Sequence, residues 1–393
     1  MANDVSQLRP NPARSVEVFG DFNDDLASRL ASEVSRLKAE NSTQSITVYI
    51  NSLGGGIREL EIIDGILRSS DLDGNSCLYL TVAIGNAASA AANLLTFGFY
   101  AYAHEHSLIY FHGARRTDIL EAAAEDATQL ANELQRLNLR ISRKLAKAVI
   151  SRMVYMYQAL WPEFKDMKIG KEVPGEFALL NRYLNFVGKN LSPIAKRLVS
   201  ATYRQMESAS RLSENILPSV IPKMGKRINP AADDAKVLIG VVKHELKINR
   251  GKASWRLDER GVNQVVNDYH LLRDYNLGEH TAVIDQLIRS FGVGFLSEEE
   301  FVEYETLKSD RKKTFALLMK SAGPHLLPLW YFSVSMCRLL MHGENRLTPI
   351  DAYYLGIVDE IIGTKMTGRR IVDEQIEQAK EKDSPETVNP ATA

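Results

Sequence analysis

The sequence predicts an α/β fold in which a mainly parallel sheet is covered by helices and interrupted by a mostly α-helical insertion. Three observations carry this. Runs of β-branched and aromatic residues alternate with segments whose apolar residues recur every three or four positions, the order that builds parallel sheets. Small-residue stretches follow two of the strand-like runs, at Gly54-Gly55-Gly56 and from Gly85 to Ala92. After residue 117 the patterning turns almost wholly helical, and α/β character returns from Leu347 to Ile362.

Each element can be justified in order. Val16–Phe19 is a short strand-like run, and Asn23-Asp24-Asp25 is a helix-start signal. Leu26, Leu30, Val34 and Leu37 then mark one helix face. Ile46-Thr47-Val48-Tyr49-Ile50 reads as a buried strand running into the three glycines, which tolerate backbone angles other residues resist. Ile57, Leu60, Ile63 and Leu67 mark a second helix. Leu78–Ile84 and Leu108–Phe111 are two further strands, the last ending at His112. Leu130, Leu134, Leu137, Ile141 and Leu145 alternate steps of four and three, which predicts a long amphipathic helix with a coiled-coil-like seam. Helical patterning continues to about residue 320, broken at Pro162, Pro174, Pro193, Pro218, Pro222 and Pro230. A short helix through Ala352–Leu355, a stop at Gly356 and a strand at Ile357–Ile361 close the pattern.

Composition sets the bounds. The chain has 393 residues, 45% hydrophobic and 25% charged, with a formal net charge of -1, so global electrostatic binding to nucleic acid is not expected. Two cysteines, Cys77 and Cys337, fit a reducing compartment and exclude a disulfide scaffold. Met1 to Ser15 lacks a secretory apolar run, and Leu326 to Met341 is too short and interrupted to span a membrane. A cytoplasmic protein without membrane attachment is the expectation. The organisation read from the pattern is a flexible segment at 1–15, an α/β core with a long helix at 16–150, the helical insertion at 151–320, completion of the core at 321–375, and a disordered tail at 376–393. Between Lys196 and Arg260 basic residues exceed acids by roughly seven, which reads as a solvated helical surface in the absence of any nucleic-acid motif. Trp161, Trp255 and Trp330 read as core anchors, and the histidines make no metal-ligand spacing.

Three features can belong to one site. The Gly54-Gly55-Gly56 loop offers backbone N–H groups at a strand end. Ser89 follows a strand and opens a helix whose first N–H groups lack intrahelical partners. His112 ends the next strand. In a parallel sheet, strand ends gather on one edge. A serine hydroxyl becomes nucleophilic when a base such as histidine takes its proton, and backbone N–H groups at Gly55 and Ala90 can hold the oxyanion that develops.

These pieces, in this order, resemble the proteolytic subunit of the Clp protease within the ClpP/crotonase superfamily. The matching stretches are Phe19-Gly20 to Asp24-Asp25, ITVYINSLGG, IGNAASAAANLL, HSLIYFHGA, the run RRTDILEAAAEDATQLANELQRLN after it, and ENRLTPIDAYYLGIVDEII near the C-terminus. The resemblance implies a ClpP/crotonase-like parallel β-sheet spiral. It also implies a serine-type endopeptidase with Ser89 as nucleophile, His112 as general base, and Gly55 and Ala90 as oxyanion-hole donors. Counting back from Gly356, the acidic triad position falls on Glu344, with Asn345 beside it as the alternative and Asp359 further along. The run after His112 resembles the handle helix by which the family's rings stack. Peptide or unfolded-protein substrates, a homo-oligomeric ring and an ATP-dependent unfoldase partner follow from the resemblance, and no cofactor or metal does.

Departures from the pattern are Leu53 for proline, Ala90-Ala91 for Met-Gly, and Gly113-Ala114 for Gln-Pro. Glu344 also stands far down the chain from His112, so the insertion interrupts the fold at the handle. A catalytically weak scaffold acting through its insertion is the alternative reading. A crotonase-type acyl-CoA enzyme is a more distant one, opposed by Ser89 and His112 at nucleophile and base positions.

Overall fold

A computed structural model describes residues 5–70, 74–115, 124–167, 177–215 and 279–367. The basic residues between Lys223 and Lys252, Trp255 and the 376–393 tail lie outside them. The chain divides into two compact units: residues 1–196 with 337–393, and residues 197–336. Both boundaries differ from the expected 151 and 320.

The first unit is built on a seven-stranded sheet with the order β1-β2-β3-β4-β7, in which β5 pairs with β3 and β6 pairs with β5. The strands are β1 (Ser15–Phe22), β2 (Ile46–Gly55), β3 (Tyr79–Ala88), β4 (Tyr100–His104), β5 (Leu108–His112), β6 (Glu344–Leu347) and β7 (Glu360–Ile362). All described pairings are parallel except β5–β6. Helix α1 (Asp24–Glu40) starts at Asn23, whose side chain accepts from the Leu26 amide, and buries the predicted Leu26, Leu30, Val34 and Leu37. Helix α2 (Ile57–Arg68) buries Leu60, Ile63 and Leu67 together with Asp64. That carboxylate is satisfied by Arg68, by the Tyr79 hydroxyl and by Lys144 of the long helix α4 (Ala124–Phe164).

Strand β3 changes partner midway, and this change positions the site. Its first half, Leu80 to Ala83, pairs with β4, while Asn86 to Ala88 pair with Leu108 to Tyr110 of β5. The β2–β3 register slips between Ile50 and Ser52. There the Asn51 side chain accepts from the Asn86 amide at 3.0 Å, in space that exists because residue 85 is glycine.

Several expectations need correcting. Within the segment expected to be flexible at 1–15, Leu8 and Arg14 are built into the core. Leu8 is fully buried with Leu80, Val82, Tyr100 and Tyr102, and the Arg14 guanidinium donates to the Leu37 and Asn41 carbonyls at the end of α1. The closing strand starts at Glu360 rather than Ile357, because the Ile357 and Val358 amides turn back to the Ala352 carbonyl. Strand β4 went unread in the sequence. Along the predicted seam of α4, Ile141 and Leu145 are buried, whereas Leu130, Leu134 and Leu137 are half-buried.

In the second unit the described elements are helical. They include Glu279–Phe291, Glu298–Leu307, capped reciprocally by Ser297 and Glu300, and most of Arg311–Leu340, which carries Pro324 and Pro328 within it. Among the described residues no helix is long and apolar enough to cross a membrane.

Candidate active site

Ser89 joins β3 to helix α3 (Ala90–Phe97) and is the one non-glycine residue at positive φ among those described, with φ 56° and ψ -121°. A side chain in that region is strained by about 1–3 kcal/mol, and such strain collects where a sharp strand-to-helix turn must present a hydroxyl. The turn is held because the Ser89 amide donates to the Tyr110 carbonyl of β5 at 2.7 Å. The small residues the sequence places around it explain how the turn fits. Ala90, Ala91 and Ala92 are buried against the sheet, and a side chain at Gly54 would lie 2.6 Å from the Ser89 Cβ and 3.0 Å from the Ala90 nitrogen. Ser89 itself stays half-buried, so its hydroxyl is not sealed in the core.

The glycine loop is built by Ser52, which sequence reasoning missed. Its buried hydroxyl donates to the Gly20 carbonyl and accepts from the Gly54 amide at 3.0 Å. The Gly54 N–H is thus engaged, and Gly55, at φ 139°, is the next amide along the loop. On the other side, α3 makes its first intrahelical bond from the Asn93 amide to the Ser89 carbonyl. The Ala90 amide is therefore one of the N-terminal N–H groups for which a helix provides no partner.

His112 ends β5, half-buried, and its ring packs 5.6 Å from that of Tyr110. Its Nδ1 lies 2.7 Å from the Gly113 carbonyl oxygen. A carbonyl only accepts, so Nδ1 carries the proton and Nε2 presents a lone pair. That is the tautomer a general base for a serine needs.

Glu344 lies directly opposite His112 in the antiparallel β5–β6 register. Directly opposed residues share a face, so the carboxylate belongs to the neighbourhood of the ring. It bonds instead to the exposed Arg115, at 3.1 Å, and to the Tyr110 hydroxyl, and these bonds, with the charges of Arg115 and Arg346, hold the carboxyl below the usual glutamate range. Asn345 points elsewhere: its side-chain amide donates to the carbonyls of Leu339, Leu340 and His342. Asp359, the third acid in the region, is paired with Arg152 at 2.7 Å and accepts from the Ala101 amide. Among the described residues no group of three or more histidines, cysteines or acids is arranged to hold a metal.

Residues 4–157 match the family described as Clp protease. Curated relatives agree. Proteolytic subunit 2 of the ATP-dependent Clp protease from Mycolicibacterium paratuberculosis is 35% identical over 102 residues, covering 25% of this chain and 48% of the relative. Subunit 2 from Nocardia farcinica is 34% identical over 125 residues, 29% of this chain and 59% of the relative. Subunit 2 from Bacillus licheniformis is 31% identical over 135 residues, 31% of this chain and 66% of the relative. The chain thus spans about half to two thirds of the length of the curated relatives it matches.

Proposed function

We propose that this chain, which carries a domain of the ClpP type within the Clp protease family, is a serine peptidase that cleaves peptide bonds through an acyl-enzyme. The observation that carries the reading is the turn at Ser89. The strained residue hangs from β5 two positions before a histidine whose Nδ1 lies on the Gly113 carbonyl oxygen, the arrangement that leaves Nε2 as the acceptor. In this mechanism His112 takes the Ser89 proton as Oγ attacks the peptide carbonyl. The amides of Gly55 and Ala90 receive the oxyanion, and the protonated imidazole then delivers its proton to the leaving amine. Glu344 is the acid that stabilises the imidazolium, reached when its side chain leaves Arg115. The relatives' printed names describe subunits of an ATP-dependent protease. By analogy a homo-oligomeric ring, an unfoldase partner, and unfolded or short peptide substrates are the assembly and substrates we assign.

A fluorophosphonate probe tests the reading. Wild-type protein should label and Ser89→Ala should not, while an assembled, folded wild type that fails to label would refute it. The reading as a weak scaffold draws on the Glu344–Arg115 pairing. Glu344→Ala separates the two, since a loss of turnover on the order of a hundredfold is expected if the carboxylate supports the imidazolium.

A further inference from the structure

The resemblance leaves the orientation of His112 to Glu344 or Asn345, whose side chains bond elsewhere. A second device stands behind the ring. Asn138 of α4 accepts the Ala114 amide proton on Oδ1 at 2.7 Å, which fixes the Gly113–Ala114 peptide whose carbonyl lies on His112 Nδ1. Donating the peptide N–H to Asn138 polarises that peptide and makes its carbonyl a stronger acceptor. The backbone here packs closely: a Cβ at residue 113 would stand 2.6 Å from the Met341 carbonyl oxygen and 2.9 Å from Asn138 Nδ2, so the position takes only glycine. The backbone of Asn138 is fixed within α4, where the buried Ser142 hydroxyl donates to its main-chain carbonyl at 2.6 Å.

We propose that Asn138 is a positioning residue for the base. Through the Gly113–Ala114 peptide it keeps the proton on Nδ1 of His112 and the lone pair on Nε2, with the Glu344 carboxylate engaged elsewhere. The inference rests on the assignment of His112 as general base only for its effect on rate; the tautomer it asserts is independent of activity. It also belongs to this chain in particular, since the Gln-Pro of the family pattern would have no amide proton at position 114 to give.

The experiment reads the His112 tautomer by long-range proton–nitrogen NMR on protein with nitrogen-15 histidine, assigned by comparison with His112→Gln, alongside the pH profile of fluorophosphonate labelling. Wild type should show the Nδ1–H form. Asn138→Leu should move His112 toward Nε2–H and slow labelling on the order of tenfold, as expected when the competent form falls to about a tenth. Asn138→Asp, which keeps the acceptor, should restore both. Ala114→Pro removes the donated proton from the other side of the bond, its ring displacing the Asn138 side chain, and should reproduce Asn138→Leu even if that variant folds poorly. An unchanged tautomer in Asn138→Leu and Ala114→Pro, or an Nε2–H wild type, overturns the inference. A slowed rate with an unchanged tautomer also overturns it, because the residue would then be only structural. The expected tautomer shifts in the variants, with a wild type that never labels, would support the inference while removing the peptidase reading.

Discussion

Gly54 shows how little room the turn at Ser89 leaves. Its φ is 101°, and an added Cβ would meet the Ser89 Cβ at 2.6 Å and the Ala88 carbonyl at 2.7 Å, backbone and short side chain that have nowhere to move. Gly54→Ala should therefore destabilise the protein by about 3 kcal/mol, combining left-handed strain with overpacking, and should lower labelling at Ser89. Thermal denaturation and probe labelling measured together check it; an unshifted melting transition would contradict the geometry. Arg115 offers the opposite kind of test. It keeps the Glu344 carboxyl ionised to lower pH than an ordinary glutamate, so Arg115→Ala should raise that pKa toward the usual range. Carbon-13 NMR titration of the Glu344 carboxyl measures it. With Arg115 gone, Tyr110 and Arg346 remain as competitors for the carboxylate, its strongest partner is lost, and labelling should hold or rise. Both effects would be invisible from sequence, where the turn serine and the histidine are legible as residue types but the competition of Arg115 for the acid is not. Asn138 did leave a trace: it stands between Leu134 and Ile141 on the apolar side of α4, and a polar group there needs a partner.

At the scale of elements, α4 is joined to the sheet by a buried ion pair whose reach explains its role. Arg152 Nε is 2.7 Å from Asp359, and its other nitrogens donate to the Thr96, Gly98 and Ile357 carbonyls. Thr96 and Gly98 lie at the C-terminal end of α3, where a cation complements the helix dipole, and Ser89 sits at the other end. Removing one partner leaves a buried charge, so Asp359→Ala should cost about 3–5 kcal/mol in denaturant unfolding. A change below 1 kcal/mol would show the pair to be dispensable. In the second unit, His325 stacks on Phe295 with ring centroids 4.8 Å apart, and burial pushes its pKa down from 6.5 to about 4. The folded state then resists protonation more than the unfolded chain does. The stability His325 contributes is complete above pH 6.5 and is lost as pH falls through about 4. His325→Phe should flatten unfolding free energy over that window. These elements also show where sequence reasoning stops. The helices with three- and four-residue periodicity were legible because one buried face imposes the period, and the strands at Ile46 and Leu78 because of their β-branched residues. Strand β4 was not, because its buried run of Tyr100, Ala101, Tyr102 and Ala103 has no alternation to read and no β-branched residue to mark it. The strand Glu344–Leu347 is short, and its one buried side chain leaves no pattern.

For the whole molecule, the match to the Clp protease family ends at residue 157, yet the unit bearing the candidate site is completed by β6 and β7 from beyond residue 337. Strand β6 is what brings Glu344 opposite His112, so the site draws on both ends of a chain with a separate helical unit between them. The same reasoning bears on assembly. A formal net charge of -1 imposes little repulsion between copies, and Leu53, beside the glycine loop, is 68% exposed, an apolar surface for a neighbouring chain or a peptide to cover. If copies of this chain form a ring as proposed, sedimentation should show a mass several times that of one chain. The labelling rate per chain should then fall when dilution drives dissociation. A single-chain mass with a constant labelling rate across dilution would instead mean that each copy carries a self-sufficient site, and the ring would have to be abandoned while the Ser89–His112 chemistry stood.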